Sequence, residues 1–249
     1  MDGVTEGIVL RQVKTLGGRR MLTIFTREFG KISAGTYIAE NSKSRSALAV
    51  RPFVLGRYSL REKNGSVSVR SAEVIKSHYG IGGDIDKFAD CSYALEFITK
   101  LLQEDYPVPE LFDITAEFLD VMEERRGETG TLLLAYIVKA MAQAGYSPGT
   151  EECASCGRKL PAAAFSVRDG GVICADCAKE KNRPGSLIYE VDFGIVDILK
   201  YFIETPMRDF RKLSLGRHEL TELGRIMKEY SSYYLDIGKL RSESFYGDK

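Results

Sequence analysis

Short β-rich apolar runs, broken by turn residues, occupy the first 80 positions, and a helical stripe replaces them afterwards. Gly7-Ile8-Val9-Leu10-Arg11 and Arg20-Met21-Leu22-Thr23-Ile24-Phe25-Thr26 read as strands, and a tight turn at Arg27-Glu28-Phe29-Gly30 leads into a return strand over 31–38. Pro52 to Leu60 and Ser66 to Ile75 complete the set. Lys63-Asn64-Gly65 joins them, because Asn-Gly accepts the positive φ values that a tight hairpin requires. Five short strands with nearly regular turns predict a small closed barrel over residues 1–80. Phe25 and Phe53 are expected in its core, whereas Phe29 and Tyr37 are expected at its surface.

From residue 81 the period becomes helical, so 81–249 reads as one helical domain. Gly80-Ile81-Gly82-Gly83 is a linker. Asp84 caps a helix with the stripe Phe88, Cys91, Leu95, Ile98 and Leu102. Pro109 opens a second helix with Leu111, Phe112, Thr115, Phe118, Leu119 and Met122 inward. Leu132, Leu133, Tyr136, Ile137, Ala140 and Met141 mark a third, which Gly145 ends. Two further stripes run from Val191 to Phe202 and from Leu220 to Tyr230, with Pro206 between them.

An insertion at about 150–183 interrupts the helices and carries two Cys-x-x-Cys pairs, Cys153/Cys156 and Cys174/Cys177. Each pair converges two thiolates on one ion. A hairpin between them, with strands near Phe165-Ser166-Val167 and Val172-Ile173 and a turn at Asp169-Gly170-Gly171, completes a tetrahedral sulfur shell suited to one structural Zn2+ per chain. Two disulfides or a thiol redox pair are the alternatives. Four cysteine ligands leave no position open for catalytic water.

Charge and composition narrow the function classes. The net charge is zero, yet residues 1–80 hold 14 Lys/Arg against 6 Asp/Glu, and residues 81–152 hold 5 against 15. A basic first third is the footprint of a polyanion-binding surface. The candidates are Arg11, Lys14, Arg19, Arg20, Arg27, Lys31, Lys43, Arg45, Arg51 and Arg57, with Tyr37 as a stacking ring, since cations neutralise phosphates while bases stack on aromatic faces. The polar, basic stretch Asn41 to Ser46 reads as a mobile loop able to grip phosphate. Catalysis finds little footing. There are two histidines, His78 and His218, and no nucleophile elbow, zinc-protease helix or phosphate-binding loop. Cys91 lies on an apolar stripe and reads as core. The N-terminus shows no signal peptide and no apolar run spans a membrane, so a cytoplasmic protein with no membrane partner is expected.

These residues resemble a known family. Gly7 to Arg11, Leu22 to Ser33, Lys43-Ser44-Arg45 and Pro52-Phe53 are similar to the N-terminal domain of the RecO recombination mediators. Phe88 to Leu102, Pro109 to Phe112, Leu133 to Gly145, then the cysteine pairs with Phe165-Ser166 and Gly171 to Cys174, follow the same order. The resemblance implies an α+β multidomain fold, in which a five-stranded oligonucleotide-binding (OB) barrel precedes an all-α domain carrying the four-cysteine zinc knuckle. It implies binding of single- and double-stranded DNA and annealing of complementary strands. Its implied partners are RecR and the C-terminal tail of the single-stranded-DNA-binding protein, with links to RecA and RecF, no small-molecule substrate and no catalysis. The segment Ala39-Glu40-Asn41 is less basic than the family's loop, with Arg19, Arg20 and Arg51 to compensate. The alternative is a protein-interaction adaptor whose acidic helices do the work and which ignores nucleic acid.

Overall fold

The computed structural model describes residues 2–15, 19–38, 45–159, 161–181, 183–191, 193–235, 237 and 240–242. The chain forms two compact units, Met1–Arg125 with Leu240–Lys249, and Arg126–Lys239.

In the first unit the strands are β1 (Gly3–Lys14), β2 (Arg20–Thr26), β3 (Gly30–Thr36), β4 (Leu55–Lys63) and β5 (Ser66–Lys76). They close in the order β1-β2-β3-β5-β4. Antiparallel β1–β4 pairing seals one seam, and a short parallel β3–β5 contact at Ala34↔Val67 and Gly35↔Ser68 seals the other. This is the OB-type barrel expected from the sequence. Asn64 and Gly65 take φ values of 52° and 73°, so the Asn-Gly hairpin forms as anticipated. Inward residues alternate with outward ones. Val9, Leu22, Ile24, Ile32, Ala34, Tyr58, Leu60, Val69 and Ala72 make the core. The Tyr58 hydroxyl donates to the Ala49 carbonyl at 2.6 Å, and burial pushes its phenol pKa up.

Three details differ from the sequence reading. Of the loop expected over Asn41 to Ser46, residues 41–44 lie outside the described residues and Arg45-Ser46 instead open a short helix, α1 (Arg45–Ala49), whose Ala49, with Val50 just beyond, plugs the barrel core. Arg51-Pro52-Phe53 is a turn rather than the start of a strand, with Phe53 in a left-handed conformation. Phe29 folds against the core instead of facing solvent, while Tyr37 is 76% exposed.

The barrel unit continues into α2 (Ile85–Leu101) and α3 (Pro109–Glu124). Asp84 caps α2, accepting from the amides of Asp86 and Lys87 at 3.0 and 3.2 Å. Phe25 is buried on the outer side of the sheet, edge-on to Phe112 of α3 at 5.4 Å. Phe53 packs edge-on to Phe88. His78, which joins β5 to a 3-10 turn over Tyr79–Gly83, is buried; Nδ1 lies 2.7 Å from the Phe53 carbonyl and Nε2 2.8 Å from Asp120 of α3. Glu96 accepts from the Arg241 and Ser242 amides, tying the returning C-terminal segment to α2.

The second unit contains α4 (Gly130–Gln143), β6 (Ala162–Ser166), β7 (Gly171–Cys174), α5 (Ala175–Lys181), β8 (Ile188–Glu190), α6 (Phe193–Glu204) and α7 (Arg217–Leu235). Helix α4 ends at Gly145, φ 88°, where the Tyr146 amide reaches back to the Met141 carbonyl. It packs on α6 and α7 around buried Leu132, Tyr136, Phe202, Phe210, Leu223 and Ile226. The strands form a small sheet in the order β7-β6-β8, whose Phe165 packs edge-on to Tyr230 of α7. Among the described residues, no helix is long and apolar enough to cross a membrane.

Candidate nucleic-acid interface and metal centre

The pleat decides which barrel residues face outward. A bulge between Val9 and Arg11 turns the end of β1, so that Arg11 pairs with Thr23 and Thr23 with Ser33. The next outward row is Val13, Met21 and Gly35. Arg19 lies across this row. A Cβ on Gly35 would stand 2.2 Å from Arg19 Nη2, so only glycine leaves the guanidinium room to lie on the sheet. Arg19 Nε is buried with no hydrogen-bond partner among the described residues. Arg11 and Lys14 are exposed along and at the end of β1. Tyr37, one residue past β3, keeps the outward parity of Ser33 and Gly35. The face thus presents two cations, Arg11 and Arg19, with an open aromatic ring and small hydroxyls, the chemistry that accepts phosphates and bases together, while Lys14, paired with Arg20, belongs to the opposite row at the strand end.

The other candidate residues lie elsewhere. Arg27 is held by both carboxylate oxygens of Asp113, its Nη2 at 2.8 Å from Oδ2, and sits over the Phe112 ring at 5.9 Å; the carboxylate raises the guanidinium pKa. Lys31 is buried, donating from Nζ to the Thr99 carbonyl at 2.9 Å and pairing with Glu104 at 3.1 Å. Arg20 points into the barrel and is buried. Arg57 lies between Glu6 of β1 and Glu73 of β5 in cross-strand register, 3.6 Å from Glu6, so its charge is already balanced. Arg51 is exposed in the turn before β4. Lys43 lies outside the described residues, and of Arg45 only the backbone, at the start of α1, is described. The partners Asp113 and Glu104 were invisible to sequence reasoning, since each is more than 70 residues from its cation. Ser33 and Gly35 were legible only as an alternation within β3.

In the second unit the two cysteine turns meet. The sulfurs of Cys153, Cys156, Cys174 and Cys177 all lie within 4.8 Å of one another, with Cys156 and Cys174 4.0 Å apart. A tetrahedron of sulfurs at about 2.3 Å from a central ion has edges of about 3.8 Å, so the cluster fits a metal with little rearrangement. Local geometry builds it. Gly157, φ 71°, closes the first turn by donating its amide to the Cys153 carbonyl at 2.8 Å. Cys174 ends β7 and donates its amide to Cys153 Sγ at 3.3 Å; Cys177 sits on α5.

The electrostatics favour the thiolate at Cys156 and Cys153. Arg158 pulls the Cys156 thiol pKa down to about 6. Burial opposes ionisation of Cys153, but the amides of Cys174, Cys156 and Ser155 outweigh it. Cys177 is pushed up even though Ser155 hydrogen-bonds to its thiolate, since burial and then hydrogen bonds with the other three cysteines favour the thiol. Four converging sulfurs resist full ionisation until a divalent cation compensates them. A third strand, β8, and helix α5 complete the knuckle, and neither carried a sequence signal strong enough to be read.

Fold and site together define a class: an OB-barrel protein whose helical unit bears a knuckle of four cysteines close enough to hold a metal ion. The recombination protein O N-terminal family model matches residues 1–78 and the recombination protein O C-terminal model matches residues 82–244. The chain therefore belongs to the RecO family of DNA repair proteins. It is 30% identical over 233 residues to a DNA repair protein RecO from Caldanaerobacter subterraneus subsp. tengcongensis, covering 94% of this chain and 93% of the relative. A Thermoanaerobacter relative of the same description is 28% identical over 97% of this chain and 95% of its own length. One from Listeria welshimeri is 33% identical over 79% and 75%.

Proposed function

We propose that the protein is a non-catalytic mediator of recombinational DNA repair that binds single- and double-stranded DNA and anneals complementary strands. In this reading it acts with RecR to load RecA onto DNA coated by the single-stranded-DNA-binding protein, whose C-terminal tail it engages, in the RecF pathway and in the cytoplasm. The observation that carries the DNA-binding part is the outward face of β1–β3, where Arg11 and Arg19 share one surface with exposed Tyr37 and, among the described residues, no ion pair to a carboxylate holds either cation. Annealing needs two charged strands held close with their repulsion screened, and a cationic face can do this without making or breaking a bond. Residues 1–80 supply this surface. Residues 81–249 supply the helices, and the ion held by Cys153, Cys156, Cys174 and Cys177 is structural zinc, the ion that a closed four-thiolate shell suits best.

The test is binding of the full chain to a labelled single-stranded oligonucleotide across a salt series, with a complementary strand added to follow annealing. Affinity that falls steeply with salt, together with accelerated annealing, supports the reading. Binding absent at low salt would sink it and leave the adaptor alternative standing. Zinc is tested by metal analysis of the purified chain, with one ion per chain expected.

A further inference from the structure

Arg158 touches both halves of the cysteine cluster. Its Nε donates to Cys156 Sγ at 3.3 Å, and its Nη2 lies 4.0 Å from Cys174 Sγ on the other pair. The same Nη2 reaches Asp176 Oδ2 at 3.2 Å, which holds the guanidinium in orientation. Its main chain is engaged as well, because the Arg158 carbonyl accepts the Cys153 amide at 3.0 Å. Gly157, in its left-handed turn, delivers the side chain back across the cluster. Arg158 thus braces Cys153, Cys156 and Cys174 at once.

The chemistry of the centre gives this arrangement a purpose. Four thiolates around one divalent cation leave two formal negative charges in excess. Cys153, Cys174 and Cys177 are buried, whereas Cys156 is exposed. The exposed thiolate is the ligand that solvent, chelators and electrophiles reach first. A guanidinium fork against it spreads positive charge over two sulfurs, as a point-charge ammonium would not.

We propose that Arg158 is the charge clamp of the metal centre, a positioning residue that holds the Cys156 and Cys174 thiolates on the ion and slows metal loss through the exposed side. The proposal rests on the metal reading above, so zinc in the wild-type chain is measured first. A wild-type chain without zinc overturns the metal reading, and the clamp with it. With zinc present, the clamp is tested by the rate of zinc transfer to a colorimetric chelator from the full-length wild type, Arg158→Met, Arg158→Lys and Asp176→Asn. Arg158→Met is expected to bind one zinc but release it roughly 10- to 100-fold faster, if the affinity loss typical of removing groups hydrogen-bonded to metal ligands falls on the release step. Arg158→Lys restores part of the loss. In the cobalt-loaded proteins, the thiolate-to-metal charge-transfer band moves to lower energy in Arg158→Met and part of the way back in Arg158→Lys, a readout that a purely structural role would not move. Wild-type release rates with superimposable cobalt spectra in Arg158→Met would overturn the clamp. If that variant fails to fold, Asp176→Asn decides: release quickened several-fold supports the clamp, and an unchanged rate overturns it.

Discussion

The two candidate sites are built by opposite strategies. The knuckle is local: four ligands within 25 residues, each placed by its own turn, strand or helix, converge because Cys-x-x-Cys spacing allows little else. The barrel face is non-local: Arg11, Ser33 and Arg19 become neighbours only through strand register, one bulge and one glycine. The cysteine cluster is a property of spacing, and the proposed nucleic-acid face a property of topology. The first survives being read one residue at a time and the second does not.

The largest effect expected from breaking this contrast is metal loss. Binding of a structural zinc contributes on the order of 10 kcal/mol to the folding of small metal-dependent modules. Cys156→Ser, or chelation of the wild type, should therefore abolish hydrogen-exchange protection across β6, β7 and α5 while the barrel amides stay protected. Zinc content of the variant should fall well below one per chain. Equal loosening of both units would break the claim that the knuckle is a local construction.

A smaller but still large effect is expected where the barrel meets its own helices. Phe112 is buried edge-on to Phe25 and beneath the Arg27 guanidinium. Phe112→Ala should cost about 3–5 kcal/mol in denaturant unfolding of the barrel unit, from lost burial and the cavity left behind. Asp113→Ala should cost less, since the Arg27–Asp113 pair is 40% and 48% exposed and solvent screens it.

Legibility followed the same divide. Turn chemistry at Asn64-Gly65, the Asp84 cap, Pro109 at a helix start and the Gly145 stop are written in one or two residues each, and all four stand where the sequence reading placed them. The cysteine cluster was legible for the same reason. Helix α1 was not, because five residues carry too little periodicity to register, and Ala49 is core only because the barrel needs a plug. Nor could the sequence separate Lys31 from Arg11. Both are basic residues on strands, and what distinguishes them is Glu104 and the Thr99 carbonyl, brought in by the chain beyond the barrel.

That distinction predicts a graded mutational response at the proposed DNA surface. Arg19→Glu and Arg11→Glu should each weaken oligonucleotide binding by a similar factor for any sequence and lower the salt slope by about 1. Arg57→Glu, already flanked by Glu6 and Glu73, should leave the slope unchanged. Gly35→Val sharpens the comparison without altering charge: it should evict Arg19 from the sheet and reproduce part of the Arg19→Glu loss. If Arg57→Glu weakened binding as much as Arg19→Glu, charge count rather than register would govern the surface.

The smallest expected effect is pH-dependent and belongs to the seam between β5 and α3. Burial raises the Asp120 carboxyl pKa, but hydrogen bonds from Lys76 at 2.6 Å and His78 at 2.8 Å outweigh it, so the folded carboxyl titrates below its usual range. An unfolded aspartate titrates near about 3.9. A depressed folded pKa means that the unfolded chain binds protons first as acid is added, so Asp120 stabilises the unit above about pH 3.9 and that contribution fades as pH falls through the lower folded value. Asp120→Asn should therefore flatten the acid limb of stability against pH, measured by urea unfolding between neutral pH and about pH 3. It should leave zinc content and the knuckle's exchange protection untouched, because the Lys76–Asp120 ion pair and the His78–Asp120 hydrogen bond lie wholly within the barrel unit. An acid limb identical to wild type would show that the seam, unlike the knuckle, does not depend on the ionised Asp120 carboxylate, and that the neutral contacts between β5 and α3 hold without it.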